Sequence, residues 1–136
     1  MSKPRPRLER YEQADGVKLL RILGAAVYVL GTVRPRGDHP GTRQTSGLPD
    51  VQCFLPARFG IGGKRFLCWE VKSAAGRLRP EQAIFRDHCK AAGVAHVTGD
   101  LTALMAWLVS AGYLTADQLP HGRQAAAWRA RETEGR

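Results

Sequence analysis

The sequence predicts an α/β domain, a mixed sheet flanked by helices, in the order helix, three strands, helix, strand and then C-terminal helices. Three observations carry this expectation. Apolar residues recur at helical spacing near the N-terminus and again beyond residue 80. Three runs rich in β-branched and aromatic residues lie between those segments. A fourth such run follows the second helix so closely that the strand–helix–strand unit implies a right-handed parallel crossover.

Taken in order, Pro4 and Pro6 make residues 1–7 an extended basic arm ahead of a domain spanning 8–120. From Leu8 to Leu23 the spacing of Val17, Leu19, Leu20 and Leu23 is helical, with Gly16 weakening the middle and Gly24 a natural stop. "AAVYVLGTV", Ala25 to Val33, reads as a strand. Arg34 to Leu48, "RPRGDHPGTRQTSGL", reads as a long exposed basic loop, a kind of segment that often carries function. "PDVQCFLPA" and "RFLCWEVKS" read as two strands of a hairpin, with the glycines of "RFGIGGK" reversing the chain. "RPEQAIFRDHCKAAG" is helical between Pro80 and Gly93, with Ile84, Phe85 and Cys89 on its buried face. "VAHVTG" is the last strand. Leu101 to Gly112 is a helix with Leu104, Met105, Trp107 and Leu108 in the core, and Thr115 or Asp117 caps a further short one. The tail from His121 is basic and alanine-rich, a marginal helix or a disordered segment.

Composition narrows the function classes. A chain of 136 residues, 43% apolar, is long enough for one core and not for two. No apolar run approaches the ~20 residues of a membrane span. The basic N-terminus lacks the apolar stretch of a secretory signal. Cys53, Cys68 and Cys89 have neither zinc-ligand spacing nor an even count, so a reduced, cytoplasmic setting is expected. Lysine and arginine number 21 against 12 acids, a formal net charge of +9. Neutralising a polyphosphate is the first physical reason for such an excess, and arginine-rich coding bias the other.

The chemistry lies in the hairpin. Glu70 and Lys72, two residues apart on a strand, share one face about 6.6 Å apart, while Leu67, Trp69 and Val71 share the other. If the turn pairs Ala57 with Arg65, then Asp50 faces Lys72, Gln52 faces Glu70 and Phe54 faces Cys68. Asp50, Gln52, Glu70 and Lys72 then gather at one end of one face. Two converging carboxylates repel unless a cation lies between them, and hard oxygen ligands suit Mg²⁺ or Mn²⁺. The lysine can help deprotonate a bound water and stabilise charge developing on a phosphate. A surface Glu–Lys pair is the plain alternative, worth about 0–1 kcal/mol. "GLPD", nineteen residues, then "EVK" is more specific than a lone pair. His39, His88, His96 and His121 have no mutual ligand spacing. "FGIGGK" lacks the context and ending of a phosphate-binding loop and reads as a turn. Trp69 and Trp107 read as core; Trp128, in the tail, fits either core or stacking.

"SGLPDVQCF", "FLCWEVKSAAGRLRPEQAIF" and "AAGVAHV" together resemble the VRR-NUC (virus-type replication-repair nuclease) domain of the PD-(D/E)XK superfamily, over about Glu9 to Thr98. The resemblance implies a restriction-endonuclease-like core, αβββαβ with C-terminal helices. It implies that Asp50 and Glu70 are metal carboxylates, that Lys72 is the catalytic lysine, that Val71 lends its backbone carbonyl to the metal, and that Gln82 is a helix glutamine at the site. "ERYEQADGVKLLRILG" aligns Glu9, Gln13 and Gly24 with the family's first helix, making Glu9 a further site carboxylate, although Glu12 competes for that role and Gly16 departs from the pattern. The activity implied is Mg²⁺-dependent DNA endonuclease chemistry, with Mn²⁺ able to substitute and no organic cofactor. The implied substrate is branched, Holliday-junction-like DNA, cut by a homodimer in phage or prophage replication-repair, with no membrane involved. Arg34, Arg36, Arg43, Arg77 and Arg79 are the expected DNA contacts. A sequence-specific restriction-type endonuclease, a non-catalytic DNA-binding module of the same fold, and RNA as substrate stay open.

Overall fold

In the computed structural model the chain forms α1 (Glu9–Ile22), β1 (Ala26–Val29), β2 (Val51–Phe54), β3 (Phe66–Val71), α2 (Pro80–Ala92), β4 (Ala95–Gly99) and α3 (Leu101–Ser110), then a 3₁₀ turn at Ala116–Gln118. The structure describes residues 7–30, 46–57, 65–73 and 76–119. The expectations for the first six residues of the arm, the Arg34–Arg43 stretch, the glycine-rich turn and the tail fall outside the described residues. Arg7 is described, and it is buried against Glu12 and Asp15. The sheet is mixed, in the order β1-β2-β3-β4. β1, β2 and β3 are antiparallel, and β3 and β4 run parallel across the α2 crossover.

The apolar face of the sheet carries Val51, Cys53, Leu67, Trp69, Val71, Ala95 and Val97, all buried. Val17 and Leu20 of α1 and Leu101, Leu104 and Leu108 of α3 close over it. Fully burying each large side chain contributes about 1.5–3 kcal/mol, so this layer dominates stability. Trp69 sits at its centre with no exposed surface, its indole N–H donating to the Gly99 carbonyl at 3.0 Å. Gly16 is what admits it: a Cβ there would collide with the six-membered ring of Trp69 and touch Leu104. The glycine expected to weaken α1 therefore lies within a continuous helix, where it makes room for the largest core residue.

α3 starts from two side-chain caps. Asp100 accepts the Ala103 N–H at 3.1 Å, and Glu12, reaching across from α1, accepts the Leu101 N–H at 2.9 Å. Such capping bonds satisfy donors that the helix itself leaves unpaired.

Two expectations need correction. The hairpin register pairs Val51 with Trp69 and Gln52 with Cys68, and the Leu55 N–H bonds the Arg65 carbonyl. This is two residues from the expected pairing of Ala57 with Arg65. A shift of two keeps every side chain on its predicted face, but it sets Asp50 in line with Glu70 rather than Lys72. Ile84, expected on the buried side of α2, is 57% exposed; Cys89 is buried and Phe85 half-buried against His96. α2 packs chiefly against β4, so less of its surface is covered than its apolar residues suggest.

Candidate active site

On the face opposite the core, the N-terminal end of α2 meets the C-terminal end of β3. Glu70, next to Trp69 in sequence, points the other way and is still only 2% exposed. Gln82 explains how it is held. Its Oε1 accepts the Arg79 backbone N–H at 2.8 Å, and its Nε2 donates to Oε1 of Glu70. The same amide thus satisfies the start of α2 and fixes the carboxylate beneath it. Lys72 follows directly on β3, with Nζ 3.7 Å from the same oxygen, Oε1 of Glu70.

Asp50 arrives from the segment leading into β2. Gly47 has a φ of +92°, and a Cβ there would run into the backbone carbonyl of Glu81 in the first turn of α2. Pro49 is fully buried. Glycine lets the chain pass beneath α2, and the seated proline fixes where Asp50 emerges. Oδ2 of Asp50 then accepts the Val71 N–H at 2.8 Å, and its backbone carbonyl accepts the Leu30 N–H at 2.8 Å. Burial raises the Glu70 carboxyl, and Asp50 lies close enough for its charge to raise it further.

The electrostatics follow from this crowding. Burial, and then the charge of Asp50, push Glu70 up to about 7, with Lys72 pulling the other way. Asp50 is raised as well, first by burial; the Val71 N–H and Lys72 oppose the shift, and the charge of Glu9 adds to it. The cost of a buried charge beside a like one, which pushes Glu70 up to about 7, is relieved equally by a bound cation.

The structure separates the two α1 glutamates. Oε1 of Glu9 faces the Ser73 N–H at 3.4 Å and lies beside Gly76 and the Lys72 side chain. Glu12 is turned into the protein, capping α3 and lying 3.8 Å from Arg7. Arg77 and Arg79 are exposed on the connection into α2, and the Arg79 charge reaches Glu70. Asp50, Glu70, Lys72, Gln82 and Glu9 are therefore brought to one place. Arg34, Arg36 and Arg43 lie outside the described residues. Sequence reasoning missed the Val71 N–H as the anchor of Asp50, which only the true register reveals. It also missed Glu12 as a cap, for which "GDL" ahead of α3 gave no signal.

Among the described residues no group of three or more His, Cys, Asp and Glu side chains forms a ready metal cage. The pair Asp50–Glu70 is a different kind of site. It suits a small hard cation that uses one or two carboxylates and keeps water on its other positions.

A mixed four-stranded sheet with its carboxylates at the end of the β2–β3 hairpin defines a restriction-endonuclease-like α/β fold. Among solved structures the chain is similar to one described as a VRR_NUC domain, at 21% identity and a TM-score of 0.53, over 77% of this chain and 97% of that one. The fold is thus that of a VRR_NUC domain. No family model and no curated protein matches the sequence.

Proposed function

We propose that the protein is a divalent-metal-dependent nuclease that hydrolyses phosphodiester bonds in DNA, with branched DNA as its substrate. One observation carries this reading: Asp50, just ahead of β2, and buried Glu70 on β3 lie close enough to interact electrostatically, with Lys72 3.7 Å from Glu70. The two carboxylates would hold Mg²⁺ or Mn²⁺, with the Val71 backbone carbonyl and Glu9 as further oxygen donors. A cation bound there supplies a Lewis acid for the phosphoryl oxygen and lowers the pKa of attacking water.

The remaining work belongs to the chain. Gln82 keeps the Glu70 carboxylate aimed by holding Oε1, and the Val71 N–H does the same for Asp50 through Oδ2. Lys72, half-buried beside them, orients the attacking water and stabilises negative charge developing on the phosphate. Exposed Arg77 and Arg79 meet phosphates at the mouth of the site, with Arg34, Arg36 and Arg43 as further contacts. Two copies related by twofold symmetry would cut two strands of a junction in concert, which favours a homodimer; the phage or prophage replication-repair setting follows from the resemblance alone.

The test incubates purified protein with a labelled four-way junction and a matched linear duplex, in Mg²⁺, Mn²⁺ or EDTA. Metal-dependent cutting of the junction, lost in Asp50→Ala and Lys72→Ala, is the expected result. Equal cutting of both substrates would keep the chemistry and remove the junction preference. Cutting that survives either substitution would place the active centre elsewhere.

A further inference from the structure

α2 packs over the β4 side of the face that carries Glu70 and reaches β3 through Gln82. On the other side, the register lines up Tyr28 of β1 with Gln52 of β2, and Phe54 of β2 with Phe66 of β3. Tyr28 is 57% exposed and Phe54 55% exposed. Their rings meet edge to face at 6.1 Å, and Phe54 leans on Phe66 at 4.8 Å. Exposed neighbouring rings on a sheet need a reason, because a patch of this kind is normally withdrawn from water.

We infer that Tyr28, Phe54 and Phe66 form a stacking platform for unpaired bases of a nucleic acid whose backbone runs on toward Asp50 and Glu70. The inference rests on the nuclease reading and narrows its substrate to DNA with a single-stranded stretch beside the cleaved phosphate. Three features favour bases over an apolar protein partner. The exposed large side chains on this part of the face, Tyr28 and Phe54, are both aromatic, with half-buried Gln52 and Leu30 beside them. Ring faces accept any base, and aromatic stacking tolerates sequence.

The platform also shares its face with the carboxylate site. Phe66 and Glu70 lie on β3 about 13 Å apart at strand rise. Charge is complementary as well: exposed Arg65 adjoins Phe66, while Arg77 and Arg79 stand at the Glu70 end. A polyphosphate can therefore be neutralised at both ends of the path from Phe66 to Glu70.

The experiment measures binding of a fluorescein-labelled oligothymidylate by anisotropy in EDTA, so that no hydrolysis enters the readout. Wild type is compared with Tyr28→Leu, Phe54→Leu and the double variant, each checked for folding by its thermal melt and for mass by light scattering. Leucine keeps the patch apolar and removes the π-face. The expected result is at least about tenfold weaker binding in the double variant, with a smaller loss in each single variant. No binding by wild type, or equal binding by folded leucine variants, would overturn the platform. A shift in oligomeric mass in the variants with binding unchanged would overturn it in favour of self-association. The cutting assay with Lys72→Ala is independent, so the platform and the nuclease reading can fail separately.

Discussion

Trp69 and Glu70 are consecutive residues of β3, both almost wholly buried, and they face opposite solvents. Trp69 enters a dry layer closed by α1 and α3, where its single polar atom has a carbonyl partner. Glu70 enters a layer that α2 covers only in part, among Asp50, Lys72 and Gln82. The first face is satisfied as it stands, and the second holds carboxyls whose charged forms are disfavoured. The sheet thus divides stability from chemistry across one strand, and substitutions on the two faces should differ in kind as well as in size.

The largest contrast is between Lys72→Ala and Trp69→Ala. The first should cut the hydrolysis rate by about 10²–10⁴-fold with little change in the thermal melt. The second should cost about 3–5 kcal/mol of stability through the cavity it opens beneath Gly16. Parallel melts and rate measurements separate them. A Lys72→Ala protein that melts early but cuts normally would erase the division.

Next in size is the pH dependence of the metal-free protein. Glu70 has an ordinary value of 4.5, raised to about 7 in the fold. The folded state therefore holds a proton that the unfolded chain has already released. That contribution is complete below pH 4.5 and is lost as pH rises toward 7, on the order of 3 kcal/mol. Denaturant melts in EDTA should show stability falling over this window, and Glu70→Gln should flatten the fall. Excess Mn²⁺ should restore stability near pH 8, because the cation replaces the proton. A wild-type curve that rises through the window would refute the assignment of the raised group.

The smallest contrast divides the two glutamates of α1. Glu12→Ala removes the Leu101 cap and one of two acidic partners of buried Arg7, and should cost about 1–3 kcal/mol with the rate per folded molecule intact. Glu9→Ala should leave the melt nearly unchanged and slow cutting about tenfold. Exchanged outcomes would reverse their roles.

Much of this division was legible in the sequence. Apolar periodicity gave the order of elements, and the pleat gave both faces of β3, because even a two-residue error in register leaves every side chain on its own side. Asp50, Glu70 and Lys72 were placed on one face for the same reason, whereas Gln82 came only with the family resemblance. Contacts between distant segments were not legible. Gly16 looked like a helix defect because the demand for it comes from Trp69, far along the chain. Glu9 and Glu12 could not be told apart until α3 showed which one it needs. The open half of the Glu70 face was hidden too, since alternation marks Tyr28 and Phe54 as facing away from the core but not whether a helix lies over them.

The most direct test of this division is a calorimetric titration of Mn²⁺ into metal-free protein near pH 7, run in buffers of different ionisation enthalpy. Saturable binding accompanied by proton release, and lost in Asp50→Asn, is the expected result, because the cation displaces the proton that Glu70 holds near pH 7. Binding unchanged in Asp50→Asn, or with no proton released, would contradict the assignment of this face as the metal-dependent site.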